Sequence, residues 1–127
     1  MSSMTRHDDQ LYFDQMLVLA NQAIRLADGV DRQRYSTDEV LQLALTHLIQ
    51  IIGEAAKKVS EAGRLSSPDV PWHEITGMRN RIVHDYIDVD ADVVGEVVTG
   101  DLKPMIAQLE RARSARPNTS SSGAEKK

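Results

Sequence analysis

The sequence predicts an all-α fold, an antiparallel bundle of about four to five helices. Four long stretches carry apolar residues at spacings of three and four, which is the period of a helix with one buried face. No stretch alternates apolar and polar residues as a half-buried strand does, because the β-branched segment 89–98 is also helix-periodic. A chain of 127 residues is long enough for one domain with its own core.

The first helix is expected over residues 9–27, where the apolar side chains share one face. Gly29 follows and fits a helix stop, since glycine tolerates the left-handed backbone that is common there. The polar stretch 30–35 is typical of a loop. Ser36 and Glu39 have the spacing of a capping box, so the next helix is expected to begin at Ser36.

The second helix, from Ser36 to Ser60, is apolar over most of its circumference. A helix of this kind lies at the centre of a bundle, or faces a bundle on one side and a partner subunit on the other. Because the chain is small, its sequence favours both arrangements and predicts a homodimer formed through helix faces. Residues 62–71 contain Gly, Ser and Pro and are typical of a loop.

The third helix is expected over residues 72–84, followed by turn and N-cap candidates at Asp88 and Asp90. A fourth helix over residues 91–112 has its apolar positions in phase. Pro104 lies inside that pattern. It is expected to kink the helix or to mark a break nearby, because proline lacks the donor of a helical hydrogen bond.

Composition places residues 1–113 in a helical domain and residues 114–127, which are rich in Ser and Lys, in a disordered polar tail. The formal net charge is −4, with −8 on residues 1–102 and +4 on the remainder. The negative charge of residues 1–102, together with only five aromatic residues in the chain, argues against a protein that coats nucleic acid nonspecifically. Cysteine is absent and no apolar run is long enough to cross a membrane, which favours a cytoplasmic protein.

The histidines do not have the pattern of a metal site. The chain has four, and no two of them have the spacing of zinc ligands on a helix. Three are expected to be solvated or structural, namely His7, His47 and His73. The sequence has no glycine-rich phosphate loop either, so neither a metal nor a cofactor is expected.

One dense polar cluster remains, within residues 79–86, and it contains Arg79, Asn80, His84 and Tyr86. Arginine offers a planar fork of donors to phosphate oxygens, histidine exchanges protons near neutral pH, and asparagine can orient either group. These side chains suit phosphate-ester chemistry without a metal if the nucleophile is the 2′-hydroxyl of RNA. From the residues alone, a solvated or salt-bridged helix end is the other interpretation.

On an ideal helix, Asn80 and His84 share a face, and Arg79 is about 140° away from His84. A break near Val83 could still bring the guanidinium to the imidazole, with Tyr86 just past the helix end. One subunit supplies a single suitable histidine. A symmetric dimer would provide two arginine–histidine sets across a shared cleft, with one histidine as base and the other as acid.

The stretch 71–86, which reads PWHEITGMRNRIVHDY, resembles the signature of HepT-type HEPN proteins, the toxin halves of HepT–MntA toxin–antitoxin pairs. The segment 51–60, IIGEAAKKVS, is similar to that family's second-helix signature. Asp101 and Leu102 are similar, more loosely, to part of its last helix. The resemblance covers residues 8–112.

The resemblance implies a dimeric HEPN bundle that acts as a metal-independent endoribonuclease in a type VII toxin–antitoxin system. Arg79, Asn80 and His84 match the catalytic motif, so they would bind phosphate, orient, and exchange protons, respectively. The implied partner is an MntA-type nucleotidyltransferase antitoxin, which uses ATP and magnesium to attach AMP to Tyr86. Gly77 is expected either to permit close packing near the motif or to be simply tolerated in the helix.

A rival interpretation is a catalytically silent helical module that docks to a nucleotidyltransferase, with Arg79 as a plain ion-pair residue. Toxicity of the chain expressed alone, relieved by Arg79→Ala, would discriminate between the two. A nonspecific RNA-binding protein is disfavoured by the negative charge of residues 1–102 and the scarce aromatic residues.

Overall fold

The computed structural model describes residues 2–83 and 88–115, with side chains described for residues 8–83 and 88–114. Its helices are α1 (Ser2–Leu26), α2 (Arg32–Thr37), α3 (Glu39–Lys58), α4 (Glu61–Leu65), α5 (Trp72–Ile82), α6 (Ala91–Glu96), a π-helical segment (Val97–Asp101, the π segment) and α7 (Leu102–Ala115). The described ranges hold no strand and only an isolated antiparallel bridge between Val83 and Val89. The predicted all-α class is therefore confirmed.

Four long helical elements form the bundle. α1 packs against α3 and α7, and α3 also packs against α5. α6, the π segment and α7 run on as one continuous helix, because Glu96 and Leu102 at the junctions keep right-handed helical dihedral angles. The largest fully buried side chains of the core include Phe13, Met16, Leu45, Ile49, Ile52, Ile75, Met78, Ile82, Leu102, Met105 and Leu109. Each such side chain contributes about 1.5–3 kcal/mol by leaving water.

The short helix α2 overlaps the segment predicted as a loop, so that prediction is wrong. Asp31 begins the helix by accepting a hydrogen bond from the backbone N–H of Arg34, at 2.9 Å. Tyr35 is buried, whereas the other side chains of α2 are exposed. A cap and one buried aromatic ring are therefore enough to hold this short helix, although its composition is polar.

α3 begins at Glu39 rather than at Ser36. Its cap is Asp38, whose side chain accepts from the N–H of Leu41 at 3.0 Å. Ser36 still belongs to α2, where its hydroxyl donates to the carbonyl of Gln33 at 2.8 Å. The predicted capping box is wrong because the preceding helix already contains its first residue.

A buried carboxylate organises α4, which begins at the edge of the predicted loop 62–71. Asp9 of α1 is only 2% exposed, and it accepts from the backbone N–H and the hydroxyl of Ser60 at 2.8 and 2.7 Å. The Ser60 oxygen in turn accepts from the N–H of Gly63 at 2.9 Å and caps α4. We call Asp9, Ser60 and Gly63 the Asp9 junction. The loop prediction fails at α4 because the residue that holds its cap is 51 positions away.

The last helix begins at Ala91 as predicted, and of the two cap candidates Asp90 caps it, since that side chain accepts from the N–H of Val93 at 3.3 Å. The break expected near Pro104 is the π segment, in which the N–H of Leu102 donates to the carbonyl of Val97. Pro104 cannot donate a regular helical hydrogen bond, and its ring clashes with the preceding turn of a regular helix. A wider turn directly before it accommodates both effects.

The first and last helices can be compared with the predicted domain limits. α1 begins at Ser2, earlier than predicted, and Gly29 with φ of 74° follows its last turn as predicted. α7 runs to Ala115, and the remainder of the predicted tail, residues 116–127, lies outside the described residues. Within the described part of the chain, no helix is long and apolar enough to cross a membrane.

α3 also carries apolar side chains on a face that turns away from the core. Val40 is 77% exposed and Leu43 is 58% exposed. Ala44 and Ile51 are partly buried and His47 is exposed, and helical geometry places all five on one side of α3. We call these five residues the α3 outer stripe. The apolar circumference predicted for this helix is thus divided between a buried face and an open one.

Candidate active site

α5 is anchored at its first residue by Trp72. The indole N–H donates to the carbonyl of Ser67 at 3.0 Å, and the ring meets Phe13 of α1 edge-on, with centroids 5.6 Å apart. The buried side chains further along the helix are Ile75, Met78 and Ile82. These contacts hold one face of α5 against the bundle and leave its polar residues on the remaining sides.

Two glycines near the contact between α3 and α5 differ in their surroundings. A Cβ added to Gly53 of α3 would lie 3.3 Å from the carbonyl oxygen of Ile75, so the two backbones approach closely there. A Cβ added to Gly77 of α5 would meet no described atom within 4 Å. Close packing occurs at Gly53, and Gly77 is a tolerated glycine in an open position.

α5 ends at Ile82, before the predicted limit at residue 84, because Val83 takes an extended conformation with φ −105° and ψ 117°. Val83 forms the antiparallel bridge with Val89. The N–H of Asp90 donates to the carbonyl of Ile82 at 2.7 Å. These two contacts join the chain on either side of residues 84–87.

This helix end changes the geometry expected for the polar cluster. Because α5 stops at Ile82, the helix breaks near Val83, which the sequence had left open as an alternative, and the ideal-helix argument for a face shared by Asn80 and His84 does not apply beyond Ile82. His84 and Tyr86 lie outside the described residues. Arg79 and Asn80 are the candidate site residues whose positions the structure gives.

Arg79 lies on the last turn of α5 with its guanidinium Nε buried. That atom has no hydrogen-bond partner among the described residues. Nη1 of the same side chain makes a long contact of 3.5 Å with the amide oxygen of Asn80, which is exposed. A buried donor without a partner costs about 1–3 kcal/mol. A phosphate group would be a suitable acceptor, since arginine stays charged and forms strong hydrogen bonds with phosphate oxygens.

Arg81 lies on the same turn but in a different environment. Its Nη1 pairs with the carboxylate of Asp101, the last residue of the π segment. The two side chains are 46% and 39% exposed. The sequence does not show that Arg81 is paired, because its partner lies 20 positions further along the chain.

The remaining histidines with described side chains stand apart from this arrangement. His47 is exposed on α3, and His73 is exposed in the first turn of α5. Across residues 8–83 and 88–114, no group of three or more His, Asp or Glu side chains is arranged to hold a metal ion.

A cavity of about 330 Å³ lies beside α2 and α6 and contains neither Arg79 nor Asn80 in its wall. Tyr35 of α2 forms part of that wall, close to Gly95, where an added Cβ would lie 3.2 Å from its ring. The Tyr35 hydroxyl oxygen is buried, without a hydrogen-bond partner in the described part of the chain. Burial raises the pKa of this phenol.

Comparison with known proteins identifies the family of this chain. A sequence model described as "Ribonuclease HepT-like" matches residues 16–112, a span that contains α3, α5 and the polar cluster. The chain belongs to the HepT-like ribonuclease family. The resemblance found in the sequence is thereby confirmed at the level of the family.

Two relatives of this HepT-like chain align over most of their length. The chain is 26% identical over 107 residues to "Putative RNase MJ1380" of Methanocaldococcus jannaschii, which covers 84% of this chain and 98% of the relative. It is 29% identical over 96 residues to "Probable ribonuclease HepT" of Thermococcus cleftensis, covering 72% of this chain and 87% of the relative. No solved structure matches the chain.

Proposed function

We propose that this HepT-like chain is the toxin of a type VII toxin–antitoxin system and a metal-independent endoribonuclease of the cytoplasm. One observation carries the proposal: in a member of a ribonuclease family, the motif residue Arg79 buries a guanidinium Nε that has no partner among the described residues. A phosphate of RNA would supply the acceptor. Arg81, two residues further on, is already paired with Asp101 and is not open to RNA in the same way.

In the proposed reaction, the 2′-oxygen of a ribose attacks the adjacent phosphorus, and the bond from phosphorus to the 5′-oxygen of the next nucleotide breaks. A base removes the proton of the 2′-hydroxyl and an acid protonates the leaving 5′-oxygen, so the products are a 2′,3′-cyclic phosphate and a 5′-hydroxyl. His84 is the proposed base or acid. Arg79 binds the scissile phosphate and stabilises the phosphorane, and Asn80 orients the imidazole or a phosphate oxygen.

The proposed enzyme is a homodimer, because one subunit offers a single candidate histidine for two proton transfers. The α3 outer stripe supports this arrangement, since Val40 and Leu43 expose most of their apolar surface. A two-fold axis beside α3 would cover these side chains in both subunits at once. It would also place two copies of the polar cluster in one assembly.

Cleavage of a random-sequence single-stranded RNA oligonucleotide by the purified chain in EDTA tests the reaction. We expect products with cyclic phosphate ends, and no cleavage of the same oligonucleotide with 2′-O-methyl groups, because its nucleophile is blocked. Arg79→Ala and His84→Ala are expected to lower the rate by about 10²–10⁴-fold. Full activity of His84→Ala would remove His84 from the chemistry, and loss of wild-type activity in EDTA would overturn metal independence.

Light scattering coupled to size-exclusion chromatography tests the dimer. Leu43→Glu places a charge on the α3 outer stripe, so we expect monomers that no longer cleave RNA. Leu65→Glu is the matched control, because Leu65 is 72% exposed on α4, away from the stripe. A monomeric wild-type chain that cleaves RNA would contradict the homodimer.

We further propose that an MntA-type nucleotidyltransferase inactivates the toxin by attaching AMP to Tyr86. The phenol oxygen attacks the α-phosphorus of ATP, in the partner's magnesium-dependent site, and pyrophosphate leaves. Each AMP adds bulk and negative charge beside a site that must admit an anionic strand. Mass spectrometry of the co-expressed pair should show the added AMP on the wild-type chain and not on Tyr86→Phe; an unmodified Tyr86 would refute this regulation.

The alternative, a catalytically silent module that binds a nucleotidyltransferase, is separated from the toxin by expressing the chain alone. The proposed ribonuclease predicts growth arrest that Arg79→Ala relieves. The silent module predicts normal growth and intact RNA, together with retained binding to the nucleotidyltransferase.

A further inference from the structure

The last turn of α5 carries two arginines that point about 160° apart around the helix axis. Arg79 is partly buried, and its Nε has no partner in the described ranges, whereas Arg81 pairs with Asp101. The Arg81–Asp101 pair joins the end of α5 to the last helix of the bundle. It lies on the flank of α5 away from Arg79.

The direction in which Asp101 faces depends on the π segment that it ends. A π turn adds one residue to a regular helix, which rotates the side chains on its two sides by about 100° relative to each other. The hydrogen bond from the N–H of Leu102 to the carbonyl of Val97 spans this wider turn. In this register the Asp101 carboxylate reaches Arg81.

Apolar packing holds the end of α5 at a fixed depth in the core, since Met78 and Ile82 are 2% and 0% exposed. Such packing is non-directional, whereas a charge-assisted hydrogen bond constrains geometry. The Arg81–Asp101 contact therefore resists rotation of the last turn about the helix axis. That rotation is the movement that would turn Arg79 away from a bound phosphate.

We propose that Arg81 and Asp101 are a positioning pair for the ribonuclease reaction: they hold the last turn of α5 so that the Arg79 guanidinium faces the scissile phosphate. Their role is orientation rather than contact with the reacting atoms. The inference rests on the proposed function, because Arg79 has this role only if the chain cleaves RNA.

Asp101→Asn is the first test, since it removes the charge and keeps the size of the side chain. We expect kcat for the random-sequence RNA oligonucleotide in EDTA to fall about tenfold or more, because small displacements of a positioned group have effects of this size. KM should stay equal or fall, since a negative charge is removed from a protein that binds an anion. Thermal stability should change little, because half-exposed ion pairs contribute little to folding.

The chain offers a matched control in a second ion pair between helices. Nε of Arg113 on α7 lies 3.0 Å from the carboxylate of Asp14 on α1, and the two side chains are 49% and 42% exposed. Asp14→Asn breaks this pair without touching α5. We expect it to resemble Asp101→Asn in thermal stability and to retain the wild-type kcat.

Exchanging the two charged residues tests whether the lost activity can be rescued. The double variant Arg81→Asp with Asp101→Arg restores an ion pair at the same place, so we expect it to recover most of the kcat lost in Asp101→Asn. Arg81→Gln is a second single variant with the same expected loss.

Wild-type kcat in both Asp101→Asn and Arg81→Gln would overturn the positioning pair while leaving the ribonuclease proposal intact. An equal loss in Asp14→Asn would also overturn it, because general destabilisation would then explain the effect. So would a folded double variant, verified by circular dichroism, that is no faster than the single variants. A wild-type chain that cleaves no RNA would instead remove the proposed function, and the inference with it.

Discussion

Two charged side chains with buried polar atoms have opposite surroundings in this protein. The Asp9 carboxylate accepts two hydrogen bonds from Ser60 and is 2% exposed. The Arg79 guanidinium buries its Nε without a partner in the described part of the chain. Because burial of charge is costly unless hydrogen bonds compensate it, Asp9 is accounted for by the fold, whereas the Nε of Arg79 is a donor open to the phosphate of the proposed reaction. The difference teaches that burial alone does not characterise a charged side chain, because its hydrogen-bond partners decide whether the fold compensates it.

The Asp9 junction can be broken most severely by Gly63→Ala. The new Cβ would overlap the Asp9 carboxylate, well inside van der Waals contact distance, so that group would have to move and Ser60 would lose its acceptor. We expect the free energy of unfolding, measured by urea denaturation, to fall by about 3 kcal/mol. A loss below about 0.5 kcal/mol, the range of ordinary surface substitutions, would mean that the junction does not hold the fold.

Arg79→Met tests the charged side chain whose buried Nε has no described partner, since it removes the guanidinium and keeps an apolar stem. We expect kcat for RNA cleavage to fall by about 10²–10³-fold. The free energy of unfolding should be unchanged or higher, because a buried donor without a partner is removed. A loss of stability as large as that of Gly63→Ala would instead make Arg79 a structural residue.

Tyr35→Phe sharpens the contrast with a second buried polar atom that has no described partner. This hydroxyl is uncharged, so we expect its removal to raise the free energy of unfolding by about 1 kcal/mol and to leave kcat unchanged. A lower kcat in this variant would contradict this expectation and would make the Tyr35 hydroxyl part of the reaction as well.

The same variant gives a pH test. Burial raises the pKa of Tyr35 above its ordinary value of 10.0, so the folded chain keeps the phenol neutral where the unfolded chain ionises. The stability that depends on a neutral Tyr35 phenol is therefore fully present below pH 10.0, and it is lost as the pH rises through the higher pKa of the folded chain. Urea denaturation at pH about 8 and about 10.5 should show a smaller decline for Tyr35→Phe than for the wild type. An identical decline would contradict this assignment.

Gly77→Ala is the mildest change and repeats the Gly63 substitution in open space. No described atom lies within 4 Å of the added Cβ, so the gain in helix propensity should raise the free energy of unfolding by about 0.5–1 kcal/mol. The rate of RNA cleavage should not change. A lower stability or a lower rate would mean that this side of α5 is covered in the assembled protein.

Local features of the fold were predictable from the sequence. Gly29 ends the first helical region and Asp90 caps the last helix, because each acts on residues within a few positions of itself. The short helices were not predictable in the same way. α4 depends on Asp9, which reaches Ser60 across 51 positions, and no spacing rule along the chain reveals such a contact.

For the candidate site, the sequence by itself determined the residue types of the polar cluster and the buried face of α5, since both follow from neighbours along the chain. Only the tertiary structure decided that Arg81 is paired and that the Nε of Arg79 is not paired within the described residues. The physical reason is that Asp101 approaches α5 from another helix, in a register set by the π segment. Periodicity specifies which face of a helix is buried, whereas the partner of each charge depends on how the helices pack.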